Sequence, residues 1–430
     1  MSSLEQLYLV MSSVADARRR LVRGWFDGSP GAKDLDLLRR AEREIDEWPR
    51  RNSRFVLDAG AGRQIETSLS YELEELRRDI LFFEQGRSAL TRRLSQQLPG
   101  FPDEVQTLVE RLCDCFPPAG RTSISYAPIR LLVTDRDGTT NNYCGRYRSS
   151  VQAAYNALFL CRFARLAATR SVILSSAPLD NGGLIDVSVN LERTFVYAGS
   201  KGREYCSENG RRGRYAIEPD RQELLDRFNS RLQQLLDTDE NEIFTLIGSA
   251  LQFKFGQTTV ARQDVDNTVA EQKSQRFLDA VRRLVEELDP DERFLRIEDT
   301  GKDIEIILTV GEDEHAGDFD KGNGIDYLDH ELGLELEKGG ALICGDTASD
   351  VPMALRAVER SAENQVLFVG ADDELASQVR AVAPGAIFVS SPDVLVCGLD
   401  RYCNDVDHNG RNLPRSLVKD RGDESRQNKR

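Results

Sequence analysis

The run Ile129-Arg130-Leu131-Leu132-Val133-Thr134-Asp135-Arg136-Asp137-Gly138-Thr139-Thr140 sets two aspartates two residues apart, behind an apolar stretch and ahead of a Gly-Thr turn. A near-continuous apolar run suits a parallel strand buried on both faces. Such strands present functional groups at their carboxyl ends, where open α/β sheets bind ligands. Two carboxylates there can hold a divalent cation and attack an electrophile. The same string also reads as an Asp-rich turn capping a helix, so the choice rests on the rest of the chain. Three further segments bear on it: Val172-Ile173-Leu174-Ser175, a strand ending in a hydroxyl; Asp320-Lys321-Gly322-Asn323-Gly324, a lysine beside two glycines; and Ala341-Leu342-Ile343-Cys344-Gly345-Asp346-Thr347-Ala348-Ser349-Asp350, a second apolar strand ending in two aspartates. Singly, these are a cap, a surface charge and a helix start. At strand ends of one sheet, they supply carboxylates for a cation, a hydroxyl donor and a cation for an anionic group.

The elements that would position these groups alternate. Strand-like runs at Ser171–Leu174, Thr194–Ala198, Ala341–Cys344, Val366–Val369 and Ala386–Val389 interleave with helical stretches such as Val151–Ala168. This rhythm predicts an α/β fold with a doubly wound parallel-sheet (Rossmann-like) core. Residues 205–312 have a different texture and read as an inserted α+β cap. It has helices at Asp220–Asp237 and Ala270–Leu288, and strands near Phe244–Phe255, Phe294–Ile297 and Ile304–Val310. The core is then 123–204 and 313–407.

Residues 1–122 read as an N-terminal helical bundle. Leu4, Leu7, Tyr8 and Met11, then Leu35, Leu38 and Ile45, then Leu69, Leu73, Leu76, Ile80 and Phe83 recur at helical spacing. Such a bundle would serve self-association or partner docking, or brace the next domain. Within it, Phe55-Val56-Leu57-Asp58-Ala59-Gly60-Ala61-Gly62 superficially matches the glycine-rich loop of S-adenosylmethionine-dependent methyltransferases. The charged, helix-favouring sequel makes turn glycines the better account. The polar stretch 408–430 reads as a disordered tail.

Bulk properties narrow the function. Across 430 residues, 72 acidic against 57 basic side chains give a net charge of −15, which argues against a nucleic-acid partner. The clusters Arg18-Arg19-Arg20 and Arg211-Arg212-Gly213-Arg214 predict solvated faces or local anion contacts. No apolar run suits a membrane span, and the first residues lack a signal-peptide pattern. Eight cysteines without a C-x-x-C pair suit a reducing compartment, so a cytoplasmic location is expected. The three histidines (His315, His330 and His408) all fall late in the chain and outside zinc or Ser-His motifs, which favours carboxylate chemistry.

The order D-x-D-G-T, Ser, Lys, G-D-x-x-S-D resembles the four motifs of the haloacid dehalogenase superfamily of phosphotransferases, over about 129–405. Within that superfamily the chain looks most like the nematode-type trehalose-phosphatases. Tyr143-Cys144, Gly199-Ser200-Lys201-Gly202-Arg203-Glu204, Lys321-Gly322-Asn323-Gly324, Asp350-Val351-Pro352-Met353 and Ser391-Pro392-Asp393-Val394 carry that likeness. The resemblance implies Mg²⁺-dependent hydrolysis of trehalose 6-phosphate through an aspartyl-phosphate. Asp135 would be the nucleophile and Asp137 the acid and base. Ser175 and Lys321 would hold the phosphate. The Asp135 carboxylate, the Asp137 carbonyl and Asp346 would bind the metal, and Asp350 would support them. It also implies sugar contacts from Gln252 and Lys254, whose other reading is outward-facing strand residues, and from Arg203 and Glu204.

The sequence departs from the family pattern at Arg136, at Ser176-Ala177-Pro178, at Lys201 and at Gln252, where glutamate is common. These leave the catalytic groups intact and the sugar open. Another sugar phosphate, such as sucrose phosphate or a glycosylglycerate phosphate, and a non-catalytic scaffold are the rival readings.

Overall fold

The run Ile129–Thr134 becomes the middle of an eight-stranded sheet, because both of its faces find apolar cover. Leu132 joins one hydrophobic cluster, and Leu131 and Val133 join another on the opposite side. The computed structural model describes residues 2–29, 31–118, 128–291, 293–310 and 317–407. The tail 408–430, His315, His408 and the expected boundaries at 122/123 and 312/313 lie outside the described residues.

The N-terminal region comprises α1 (Leu4–Asp27), α2 (Ala32–Asp46), β1 (Arg50–Arg51), β2 (Arg54–Asp58), β3 (Gln64–Thr67), α3 (Ser70–Gln85), α4 (Arg87–Gln97) and α5 (Phe101–Cys115). It is therefore not purely helical. In β2, Phe55 and Leu57 are buried while Val56 and Asp58 are half-buried, a period of two. This pattern makes β1–β3 an antiparallel sheet, with Gly60 and Gly62 in the turn between β2 and β3.

The core begins with β4 (Ile129–Thr134), α6 (Ala154–Leu166), β5 (Ala168–Leu174), α7 (Leu184–Val187), β6 (Val196–Gly199), β7 (Glu204–Cys206) and β8 (Arg212–Arg214). The inserted cap follows as α8 (Pro219–Leu236), β9 (Leu251–Lys254), β10 (Gln257–Ala261), α9 (Glu271–Leu288), β11 (Leu295–Asp299), β12 (Asp303–Val310) and β13 (Gly317–Asp318). The chain returns to the core with α10 (Lys321–Leu332), β14 (Ala341–Gly345), α11 (Val351–Arg360), β15 (Gln365–Val369), α12 (Asp373–Val382), β16 (Ile387–Val389) and α13 (Pro392–Asp407).

The core sheet runs β16-β15-β14-β4-β5-β6-β7-β8, parallel from β16 to β6. The chain winds outward from β4 through β5 and β6, and outward from β14 through β15 and β16. The two windings meet between β4 and β14, where a crevice forms beyond the strand ends. Residues 205–214 were expected in the cap. They instead form an antiparallel extension of the core sheet, because β7 pairs onto β6 and β8 onto β7.

In the cap, antiparallel strands lie in the order β11-β12-β10-β9, and β13 pairs with β12. The sequence placed a strand over all of 244–255, but only β9 is extended. A short helical turn at Glu242–Thr245 and positive φ at Gly248 and Ala250 break the earlier part. Val260, Ile304, Ile306 and Leu308 pack in one cluster with Phe228 of α8 and Phe277 and Val281 of α9. The alternate residues face away from those helices.

The N-terminal region packs on both other parts. Tyr8 donates to the Leu246 carbonyl of the cap, and Asp266 of the cap accepts from Thr67 Oγ1 at 2.6 Å and Ser68 N at 3.1 Å. Of the roles that the sequence offered the bundle, bracing of the core is directly visible. Arg18, from the first basic cluster, points inward. Its Nε lies 2.6 Å from Asp79 Oδ2 with both side chains fully buried, and its Nη1 donates to the Val151 carbonyl at 2.9 Å. Arg18→Met leaves Asp79 as an uncompensated buried carboxylate, an expected cost of about 3–5 kcal/mol in a chemical denaturation experiment.

Candidate active site

Asp135 and Asp346 follow neighbouring strands, β4 and β14, so each opens into the crevice. Asp135 N donates to the Cys344 carbonyl at 2.9 Å, which fixes one strand end against the other. Thr139 Oγ1 ties the two carboxylates, at 2.7 Å from Asp346 Oδ1 and 3.4 Å from Asp135 Oδ2. Lys321, the first residue of α10, places Nζ 2.5 Å from both Asp135 Oδ1 and Asp350 Oδ1. The other oxygen of Asp350 accepts from the backbone N–H groups of Asp346 and Thr347 and from Thr347 Oγ1, at 3.0–3.1 Å.

Lys321 reaches this position because α10 starts beside the turn after β6. Asp320 caps the helix, accepting from Asn323 N at 2.8 Å. A Cβ on Gly324 would sit 1.9 Å from the Lys201 carbonyl oxygen, so only glycine lets the helix approach so closely.

One oxygen from each of Asp135, Asp346 and Asp350 lies within 4.8 Å of the others. Three clustered carboxylates form a donor set that fits a hard divalent cation. Burial pushes the carboxyls of Asp135 and Asp346 well above the ordinary range, and neighbouring carboxylates add to the effect. Burial alone would lower Lys321, but Asp135 and Asp350 outweigh it and raise it. The Asp137 carboxylate is not in this cluster; it is turned toward Arg136 and Ser150. Ser175 is buried and lines the same cleft, with Oγ accepting from Ala177 N at 3.1 Å.

The cleft, of about 210 Å³, has Asp135, Asp137, Ser175, Lys321 and Asp346 on its core side. Gln252, Lys254, Thr259, Asp303 and Glu305 form the cap side. A larger cleft of about 920 Å³ adjoins it and shares Tyr147, Ser249 and Gln252. In β9, β10 and β12, Gln252 pairs with Thr259 and Thr259 with Glu305, so these side chains stand on one face of the cap sheet. The sequence identified Gln252 and Lys254. It missed Thr259, Asp303 and Glu305, although the alternation Asp303-Ile304-Glu305-Ile306 carries the signal of the last two. Among the described residues, three polar atoms at the cleft are buried without a partner: Tyr147 Oη, Thr259 Oγ1 and Asp303 Oδ1. Burial pushes Asp303 up to about 6.

Arg203 and Glu204, expected at the sugar, do not reach the cleft. Arg203 donates to the carbonyls of Gly256 and Leu308 and lies over the Phe319 ring, so its charge clasps the cap strands to the core. Glu204 accepts from Leu179 N at 3.1 Å and Ser200 Oγ at 2.8 Å, bracing the turn after β6.

The loop 141–150, which forms one wall of the cleft, is held by acidic residues of α3. Glu72 pairs with Arg146 at 3.0 Å and accepts from Ser149 Oγ at 2.7 Å. Glu75 accepts from Asn142 Nδ2 at 3.0 Å. No spacing within either segment shows this dependence.

Two family models match the chain: "Trehalose-6-phosphate phosphatase, C-terminal" over residues 132–395, and "Trehalose-6-phosphate phosphatase N-terminal helical bundle domain" over 3–100. The chain is 28% identical over 410 residues to "Alpha,alpha-trehalose-phosphate synthase [UDP-forming] 2" of Caenorhabditis elegans, covering 92% of this chain and 33% of that relative. It is 32% identical over 271 residues to a "Trehalose-phosphatase" of the same nematode, covering 61% of each. It is 31% identical over 284 residues to a "Trehalose-phosphatase" of Brugia malayi, covering 64% of this chain and 57% of that one. The chain thus spans about a third of the synthase relative.

Gly138, with φ of +91°, lets the aspartate turn pass beneath Asp346; a Cβ there would stand 2.0 Å from Asp346 Oδ2. Gly138→Ala is expected to displace that carboxylate and weaken divalent-cation binding by about 10- to 100-fold. Titration calorimetry would read the loss, and an unchanged far-ultraviolet circular dichroism spectrum would show that the fold persists.

Proposed function

From the premise that the chain belongs to the trehalose-6-phosphate phosphatase family, we propose that it hydrolyses trehalose 6-phosphate to trehalose and phosphate, with Mg²⁺ as cofactor. The observation that carries this reading is the pairing of two half-sites across one cleft. The core side holds Asp135, Lys321 and Asp346, and the cap side offers buried, unpartnered polar atoms. A buried polar atom without a partner costs stability, so a ligand rich in hydroxyl groups suits the cap side.

In this reading the Asp135 carboxylate attacks phosphorus, and the bond from phosphorus to the sugar oxygen breaks. Asp137 gives a proton to the departing oxygen. It then takes one from the water that attacks the aspartyl-phosphate, which releases phosphate and restores Asp135. Lys321 pairs with the phosphate oxygens, and Ser175 donates a hydrogen bond to them. Mg²⁺, held by Asp135, Asp346 and the Asp137 carbonyl with Asp350 in support, would offset the repulsion between the carboxylate and the phosphate. Gln252, Lys254, Thr259, Asp303 and Glu305 read the sugar. A cytoplasmic location agrees with thiols such as Cys144, Cys161 and Cys344, which are buried and free. Among the described residues no helix is long and apolar enough to cross a membrane. Self-association would use faces of the N-terminal helices that the core and cap leave open.

The first test is phosphate release from trehalose 6-phosphate, sucrose 6-phosphate, glucose 6-phosphate and an aryl phosphate, with Mg²⁺ present or chelated. Preference for trehalose 6-phosphate, abolished in Asp135→Asn and by chelation, is the expected result. Preference for another sugar phosphate would overturn the substrate, and no turnover would favour the scaffold. Thr259→Ala and Asp303→Asn should each raise KM for trehalose 6-phosphate by about tenfold, one hydrogen bond's worth, with a smaller effect on the aryl phosphate. Because burial raises the carboxyls of Asp135 and Asp346, protons compete with a cation for them at higher pH than for ordinary carboxylates. Cation affinity should therefore rise from mildly acidic to mildly alkaline buffer, with protons released on binding; calorimetry in buffers of different ionisation enthalpy checks both.

A further inference from the structure

Arg136 stands between the two aspartates, yet its side chain points into the protein and is only 1% exposed. Its guanidinium is anchored on two backbone carbonyls: Nη2 donates to Val187 at 3.2 Å and also to Ser150. From this fixed position Nη1 donates to Asp137 Oδ1 at 2.5 Å. The same oxygen accepts from Ser150 Oγ at 2.7 Å. Ser150 Oγ in turn accepts from Asn141 Nδ2 at 3.3 Å, so the second donor is itself tied to the aspartate turn.

One oxygen of Asp137 is therefore held by two donors, and Oδ2 has no hydrogen bond among the described residues. The side chain is 21% exposed and lines the cleft, so Oδ2 is the atom left to meet a ligand. A carboxylate without such a clamp turns about its last torsion and exchanges its two oxygens, a broad two-fold freedom. Pinning Oδ1 removes that freedom. The planar fork of an arginine suits the task, since it reaches two carbonyls and one carboxylate in fixed directions, whereas an ammonium group is a single point of charge.

We propose that Arg136 is a positioning residue, which clamps Asp137 through Oδ1 so that Oδ2 delivers the proton to the departing sugar oxygen. This rests on the reading of Asp137 as the acid. The step balances: the bond from phosphorus to the sugar oxygen breaks, its electrons stay on that oxygen, and the proton on Oδ2 moves to it. A sugar alkoxide is a poor leaving group and needs this proton in the transition state, whereas a 4-nitrophenolate leaves without it.

The test compares kcat/KM of the full chain with Mg²⁺ on trehalose 6-phosphate and on 4-nitrophenyl phosphate, for the wild type, Arg136→Met and Arg136→Lys. This ratio covers the steps up to formation of the aspartyl-phosphate and is blind to its later hydrolysis, in which Asp137 serves both substrates. Arg136→Met should lose about 10- to 100-fold on the sugar phosphate but no more than about threefold on the nitrophenyl ester. Arg136→Lys should recover part of that loss. An equal loss on both substrates would mean a structural role and would overturn the proposal, as would no loss on either. If the wild type prefers another sugar phosphate, the substrate reading fails, and the same comparison with that ester still decides the role of Arg136. A wild type that cleaves neither kind of ester overturns the phosphatase reading and this inference with it, before any variant is made.

Discussion

One buried ammonium group underlies the rest of the site. The crevice between β4 and β14 gathers Asp135, Asp346 and Asp350, and Asp350 is wholly buried. Carboxylates so placed lose their hydration, and the loss must be met by a counter-charge and by hydrogen bonds. Lys321 supplies the charge to two of them at 2.5 Å, while backbone N–H groups and Thr347 meet the second oxygen of Asp350. Much local structure follows from the need to bring that lysine in. Helix α10 must begin at the crevice, Gly324 must let it touch the turn at Lys201, and Glu204 must brace that turn. The left-handed backbone at Ser200 and Lys201 belongs to the same requirement.

The N-terminal region takes part in the site without touching its centre. Helix α3 sets Glu72, Glu75 and Asp79 on the faces it turns to the core, where each holds a group of the core. Glu72 holds Arg146 and Ser149, Glu75 holds Asn142, and Asp79 accepts from Tyr155 N at 3.0 Å. The cap is tied to the same region through Tyr8 and Asp266. The bundle thus holds a wall of the cleft in place, so the position of the loop 141–150 depends on residues about seventy positions earlier.

What was legible in the sequence divides along physical lines. Asp135, Asp137, Asp346 and Asp350 could be read because an apolar strand and the groups at its end are neighbours in the chain. Lys321 could be read because it stands beside two glycines, Gly322 and Gly324, at a helix start. Thr259 could not, because its place in the cleft comes from the register between β10 and β12, which pairs residues more than forty positions apart. Arg203 and Glu204 misled for a related reason. A charged pair after a glycine turn reads alike whether it faces a ligand or clasps two domains, and only the carbonyls of Gly256 and Leu308 decide. Strand β2 escaped notice because its period of two spans five residues between helices, too short to outweigh the surrounding helical pattern.

The alternation in the cap sheet has an evolutionary consequence. Ile304, Ile306 and Val260 hold the sheet to its helices, while their neighbours Asp303, Glu305 and Thr259 face the cleft. Neighbouring residues thus answer to different selective pressures, one set to stability and the other to recognition. A lineage could exchange the recognition set for new polar groups and leave the apolar set, and with it the cap, intact. Such a sheet can change the groups it presents to the cleft while the crevice beneath keeps its carboxylates and its lysine.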